Sequence, residues 1–181
     1  MALDAWMVQD FSGSGSRVVR ILPLGGPALV YFESAGCQGN HTAVRALGSD
    51  GQMSWLPINV LGDCRTICLA DGTDETVAFQ VACEGSWVLG IRPVGDARPW
   101  TGGHVSGVGG DVLVIPGGIQ AFCTVDFQIQ TNDHAAVWAY SDYDKQLLFN
   151  CIGPYAGQTI LPTGTVVVSV QHNGPWAMDW Q

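Results

Sequence analysis

The chain of 181 residues is 47% hydrophobic and only 13% charged, with 24 glycines and a formal net charge of -9. Seven Lys+Arg stand against 16 Asp+Glu, and Lys145 is the sole lysine, so no basic face is expected for a phosphate backbone and nucleic acid is not an expected partner. No apolar run approaches the roughly 18 to 20 residues of a membrane helix, and Met1-Ala2-Leu3-Asp4 lacks the basic and apolar segments of a secretory signal; the expectation is a soluble chain made in the cytoplasm, with no membrane partner.

Residues 1 to 16 join an apolar piece, Ala5-Trp6-Met7-Val8 with Phe11, to Ser12-Gly13-Ser14-Gly15-Ser16, a composition that reads as an N-terminal arm on a flexible link. Strands are expected over Val18 to Leu22, Ala28 to Glu33, Thr42 to Leu47, Trp55 to Leu61, Arg65 to Leu69 and Thr76 to Cys83, then from Trp87 through Ile91. Residues 95 to 110, with six glycines' worth of turn chemistry around Trp100, read as a linker. A second series follows: Val112 to Ile115, Ala121 to Ile129, Ala135 to Tyr140, Leu147 to Ile152, Thr159 to Leu161, Thr165 to His172, and the strand of Trp176, Met178 and Trp180. No window sustains a 3.6-residue period, so the expected class is all-β.

The two series repeat one pattern. Leu22-Pro23, Gly25-Gly26, His41, Val44, Ala46, Asn59, Gly62, Val81, Gly85 and Trp87 return as Ile115-Pro116, Gly117-Gly118, His134, Val137, Ala139, Asn150, Gly153, Val170, Gly174 and Trp176. The offset begins at about 93 residues and settles at about 89, as when turns shorten and paired strands do not. The expected architecture is therefore two tandem antiparallel β-sandwich domains, Ig-like or jelly-roll-like, from an internal duplication: domain 1 over 17–94, domain 2 over 111–181.

Six cysteines are unevenly shared, with Cys37, Cys64, Cys68 and Cys83 in the first series and Cys123 and Cys151 in the second. Cys123 falls opposite Val30 and Cys151 opposite Val60, as buried thiols in place of valine would. Cys37 has Cys64 or Cys68 as candidate disulfide partners, but a chain without a secretory signal is expected to keep its thiols.

Gly13-Ser14-Gly15 lies in the arm, which cannot fix a nucleophile, and Cys37 with His41 lies in a Gly-rich turn, so no catalytic residue is expected. Cys37-x3-His41 and Cys64-x3-Cys68 supply four candidate zinc ligands; however, the spacings are looser than in common structural sites, and His41 matches His134 in a copy lacking those cysteines. A fold role for the histidine is favoured, and no metal or cofactor is expected. Asp71-Gly72-Thr73-Asp74-Glu75 and Asp142-Tyr143-Asp144 are read as hairpin turns rather than calcium sites, and the sequon Asn40-His41-Thr42 is idle without a secretory route. Among seven tryptophans, Trp87 and Trp176 repeat in register with apolar neighbours and read as core. Trp6, Phe11, Trp55, Trp100 and Trp138 remain as candidate partner-binding aromatics, Trp138 standing opposite Arg45 of the other copy.

The second copy carries AVWAY at Ala136 to Tyr140, IGPYAG at Ile152 to Gly157, LPTG at Leu161 to Gly164 and NGPW at Asn173 to Trp176. Over roughly residues 111 to 181 it resembles a β-sandwich module of actinobacterial and actinobacteriophage proteins that ends in a D/N-G-P-W strand. The first copy departs from it, with Val60-Leu61-Gly62-Asp63 and Glu84-Gly85-Ser86-Trp87 at the matching places. The resemblance implies a fold and names no chemistry. With the missing secretion signal it implies a phage protein made in the host cytoplasm and assembled on the virion: a non-enzymatic structural protein, such as a capsid decoration, forming a homo-oligomer and binding other virion proteins. The alternative is a carbohydrate-binding or adhesion module, with a glycan stacked on exposed tryptophans.

Overall fold

Alternating apolar residues and closely spaced glycine turns leave each segment one face to bury, and among the described residues this is satisfied with strands alone apart from one short 3-10 turn, Val94–Asp96. The computed structural model describes residues 8–72, 75–142 and 144–181, and it divides into two compact units, Met1–Asp96 and Ala97–Gln181.

Unit 1 holds β1 (Gln9–Ser14), β2 (Arg17–Arg20), β3 (Ala28–Ala35), β4 (His41–Leu47), β5 (Met53–Leu61), β6 (Arg65–Ala70), β7 (Ala78–Ala82) and β8 (Ser86–Pro93). They form two four-stranded antiparallel sheets, β1-β8-β3-β6 and β2-β7-β4-β5. Both sheets contribute to one core: Val30, Phe32, Leu89 and Ile91 from the first, Val44, Ala46, Phe79 and Val81 from the second. That is a sandwich-like arrangement, each sheet covering the other's apolar face.

Unit 2 holds β9 (Arg98–Pro99), β10 (Gly103–Val108), β11 (Asp111–Val114), β12 (Cys123–Ile129), β13 (His134–Tyr140), β14 (Lys145–Ile152), β15 (Tyr155–Leu161), β16 (Val167–Gln171) and β17 (Pro175–Trp180). Its sheets are β10-β17-β12-β15 and β14-β13-β16-β11-β9, in which short β9 runs parallel to β11. With β9 set aside, the strand order is that of unit 1, β10 taking the place of β1. The core packs Phe127, Ile129 and Met178 against Leu113, Val137, Phe149 and Val168, with Phe127 and Phe149 stacked at 5.2 Å.

The outer edges differ from the sequence expectation. The arm at 1–16 and the linker at 95–110 both contain strands: β1 pairs with β8 from Gln9 opposite Ile91 to Ser14 opposite Ser86, and β10 pairs with β17 from Gly103 opposite Trp180 to Val108 opposite Pro175. The domain boundary therefore lies between Asp96 and Ala97, and 97–110 belongs to unit 2. The physical reason is a close approach of backbone to indole. A Cβ on Gly13 would come within 2.6 Å of Trp87, and one on Gly107 within 2.5 Å of Trp176, so each edge strand needs glycine where it crosses the ring. Each indole Nε1–H then donates to the turn beyond, Trp87 to Gly15 O and Trp176 to Gly109 O, both at 2.9 Å. Those turn glycines sit at φ 68° and 81°, a conformation that favours glycine.

Candidate functional site

The cysteine-rich end of unit 1 is built from the connections β3–β4, β5–β6 and β7–β8. Between β3 and β4 an exposed loop turns one side chain inward: Cys37 is fully buried, while Gly36, Gln38, Gly39 and Asn40 face solvent. The Asp63 carboxylate, between β5 and β6, accepts from the Cys37 backbone N–H at 2.7 Å. Backbone donors at Cys37 and Gly36 hold its carboxyl below the ordinary aspartate range. Asn40 Nδ2 donates to Glu84 Oε2 at 2.6 Å, tying the same loop to the β7–β8 turn.

The four candidate zinc ligands do not come together. Cys37 Sγ meets Cys83 Sγ at 2.9 Å, Cys64 Sγ faces the Ser34 hydroxyl at 3.5 Å, and Cys68 Sγ donates to Pro57 O at 3.1 Å. His41 Nε2 is engaged by Asn59 Oδ1 on the neighbouring strand. Among the described residues no three His, Cys, Asp or Glu groups could hold a metal ion. Burial pushes the Cys68 thiol up to about 12, which suits a protonated core thiol. At Cys37 burial works against the thiolate, but hydrogen bonds from Cys83, Thr42, the Gly85 backbone and Ser34 outweigh it and bring the thiol below its ordinary value. Cys37 has thus found neither Cys64 nor Cys68 but Cys83, a neighbour that sequence spacing did not suggest.

The candidate aromatics are scattered. Trp6 lies outside the described residues. Phe11 on β1 and Trp55 on β5 are both partly buried against the unit 1 core, and Trp55 Nε1 donates to Thr76 Oγ1 at 3.3 Å. Trp100 is overturned as an exposed contact residue: it is 3% exposed, packed edge-on against Trp180 at 5.6 Å, with its indole donating to Gly103 O. Trp138 is half-buried on β13, and Lys145 Nζ stands 5.0 Å from its ring centroid. Arg45 holds the corresponding place on β4; the two strands share one burial pattern and each has an irregularity in register beside this residue.

What sequence reasoning missed is the edge of the second sheet in each unit. The longest described strand of unit 1, β5, and that of unit 2, β14, are both edge strands. β5 has no ionised residue and exposes Met53, Leu56 and Leu61; β14 has only Lys145 and exposes Leu147 and Ile152. Leu61 is 77% exposed and Ile152 80% exposed. They match in register, Leu61 opposite His41 and Ile152 opposite His134, and each histidine is exposed and held by an asparagine of the edge strand, Asn59 or Asn150. The sequence signal was available as aliphatics preceding the repeated Gly62 and Gly153, but that they face solvent could not be read without strand order.

No family model matches the chain. A search of curated proteins likewise finds no match. Two of the solved structures similar to this chain illustrate how low the likeness is. A conserved protein of unknown function from Pseudomonas aeruginosa PAO1 is 13% identical, with a TM-score of 0.28 over 96% of this chain and 79% of that one. The regulatory subunit of a cAMP-independent protein kinase A from Trypanosoma brucei is 9% identical, with a TM-score of 0.25 over 95% of this chain and 73% of that one. Both scores are too low for either likeness to bear on function.

Proposed function

We propose that the protein is a non-enzymatic structural protein of a phage particle, a decoration or accessory protein that docks onto other virion proteins through β5 and β14 and sits there in many copies as a homo-oligomer. The observation that carries this reading is the pair of long, nearly charge-free edge strands, each ending in a matched exposed aliphatic, Leu61 or Ile152. A protein that stays alone in solution blunts such edges with short strands and charges, because unpaired backbone groups beside apolar side chains recruit other strands. Here Pro57 on β5, Lys145 on β14 and one stretch of irregular register in each strand's pairing are the devices present, and they leave the ends at Leu61 and Ile152 bare. Burial against a protein shell satisfies both the backbone and the aliphatics, and two like edges suit attachment to a repeating surface. The resemblance of residues 111 to 181 to an actinobacteriophage sandwich module supports the choice of a virion as that shell.

The test is to purify particles and count copies of the protein, then repeat with L61K/I152K. The double variant is expected to keep its fold, since both side chains are solvent-facing, and to fall at least about tenfold in particle occupancy, the loss expected when apolar anchors of an interface become charged. Particles that lack the protein, or that retain the variant at full occupancy, would sink the proposal. A glycan array that binds the wild-type chain and the variant equally would turn the choice toward carbohydrate recognition.

A further inference from the structure

Cys37 and Cys83 hold the β3–β4 loop to the end of β7, and their Sγ atoms lie 2.9 Å apart in a fully enclosed position. Unit 2 makes the corresponding connection without sulfur: Thr131 Oγ1, between β12 and β13, meets His172 Nε2 at 3.1 Å, and His172 Nδ1 meets His134 O at 3.1 Å. One architecture thus carries two kinds of latch at the same joint, a hydrogen bond between polar groups in unit 2 and a thiol pair in unit 1. A thiol pair is a weak hydrogen bond, so two cysteines at this joint contribute little that serine or valine would not, unless they can bond. We propose that Cys37 and Cys83 are a redox pair that closes to a disulfide, converting the latch of unit 1 from a contact into a covalent bond.

The two sulfurs need less than about 1 Å of further approach to reach bonding distance. Cys64 lies near enough to Cys37 to feel its charge, but its Sγ faces the Ser34 hydroxyl, and Cys68 Sγ faces Pro57 O. The oxidant is a low-molecular-weight disulfide such as oxidised glutathione. Cys37 thiolate attacks one of its sulfurs and releases one glutathione thiolate; Cys83 thiolate then attacks the Cys37 sulfur of the mixed disulfide and releases the second. Two thiols lose two protons and two electrons, and one glutathione disulfide becomes two thiols. Cys37 is the first to react, because it lies on the exposed loop at 36–40, whereas Cys83 follows directly on β7 and is held in the core. The reagent reaches it when the exposed loop at 36–40 turns Cys37 outward. The bridge spans 37 to 83, a long loop whose closure restrains the unfolded chain.

The full chain, purified reduced, is equilibrated with a mixture of oxidised and reduced glutathione, quenched by alkylation, and mapped by peptide mass without reduction. The expected result is a loss of about 2 Da and a cross-linked peptide pair containing Cys37 and Cys83. The thermal unfolding midpoint should rise by at least about 5 °C and return on adding dithiothreitol. C37S and C83S each remove the reagent-dependent rise, and C64S keeps it. A map in which both Cys37 and Cys83 are alkylated, or in which Cys37 is bridged to Cys64, would overturn the proposal, and that map needs no variant to fold.

Discussion

Trp87 and Trp176 each bury an indole under an edge strand, and each does so only because the crossing residue is glycine. The ring supplies apolar cover and its N–H reaches the next turn, so the glycine, the tryptophan and the turn carbonyl form one unit. G107A is expected to cost about 1–3 kcal/mol, because the added methyl must push β10 away from the ring or tilt the indole out of its hydrogen bond. G13A should do the same to β1, and W176F should cost more than the about 1 kcal/mol of the lost bond to Gly109 O, because the smaller ring also leaves a gap under Gly107. Urea unfolding of the four proteins checks this, and a G107A protein as stable as wild type would refute the packing argument. The tryptophans were legible in the sequence because they repeat in register. Their partners were printed there too, Ser12-Gly13-Ser14-Gly15 against Ser106-Gly107-Val108-Gly109, but glycine and serine composition reads as flexible link unless the ring that requires it is known. Trp100 failed for the same reason: a tryptophan among glycines looks exposed, and here the glycines let Trp180 and the chain close over it.

Strands that bury one full face announce themselves, which is why β3, β4, β7, β13 and β16 fall within a residue or two of their expected positions. Edge strands β1 and β10 do not, since half of each faces solvent and their buried halves are glycine as often as apolar. Strand order is beyond reach in either case: Pro57 in β5 and Lys145 in β14 are compatible with an edge position but do not say which strands lie beside them, and Cys37 meets Cys83 only because β3 and β7 end at the same place. The connections between elements carry the electrostatics. Asp63, after β5, accepts backbone N–H groups from the β3–β4 loop, and these hold its folded carboxyl below the ordinary value of 3.8. A depressed folded value means stabilisation that is present above the unfolded value and lost as pH falls through the folded one. The expected outcome is that the stability advantage of wild type over D63N, measured by urea midpoints from neutral pH downward, is constant above about pH 5 and shrinks below pH about 4. Equal acid sensitivity in the two proteins would assign the loop's pH response elsewhere.

At the scale of the whole chain, the question is where one folding unit ends. Composition places a linker at 95–110, whereas each core in the structure is closed by residues of its own unit, and the core of unit 2 includes Trp100 and Val105 from inside that supposed linker. The same segment brings Arg98, whose guanidinium pairs with Asp111 at 2.7 Å and lies 5.7 Å from the Trp176 ring, and β10, whose Gly107 crosses that ring. A fragment beginning at Ala97 therefore carries everything its core needs. One beginning at Asp111 loses a buried tryptophan, exposes a second and leaves β17 an open edge. A small domain has little stability to spare, and removing one buried aromatic alone costs about 3–5 kcal/mol. Fragment 97–181 is expected to unfold in a single cooperative urea transition. Fragment 111–181 should show either a midpoint so low that it is unfolded in buffer or no cooperative transition. Comparable transitions in both fragments would mean that β9 and β10 are accessory after all, and that the glycine-rich stretch is the spacer its composition suggests.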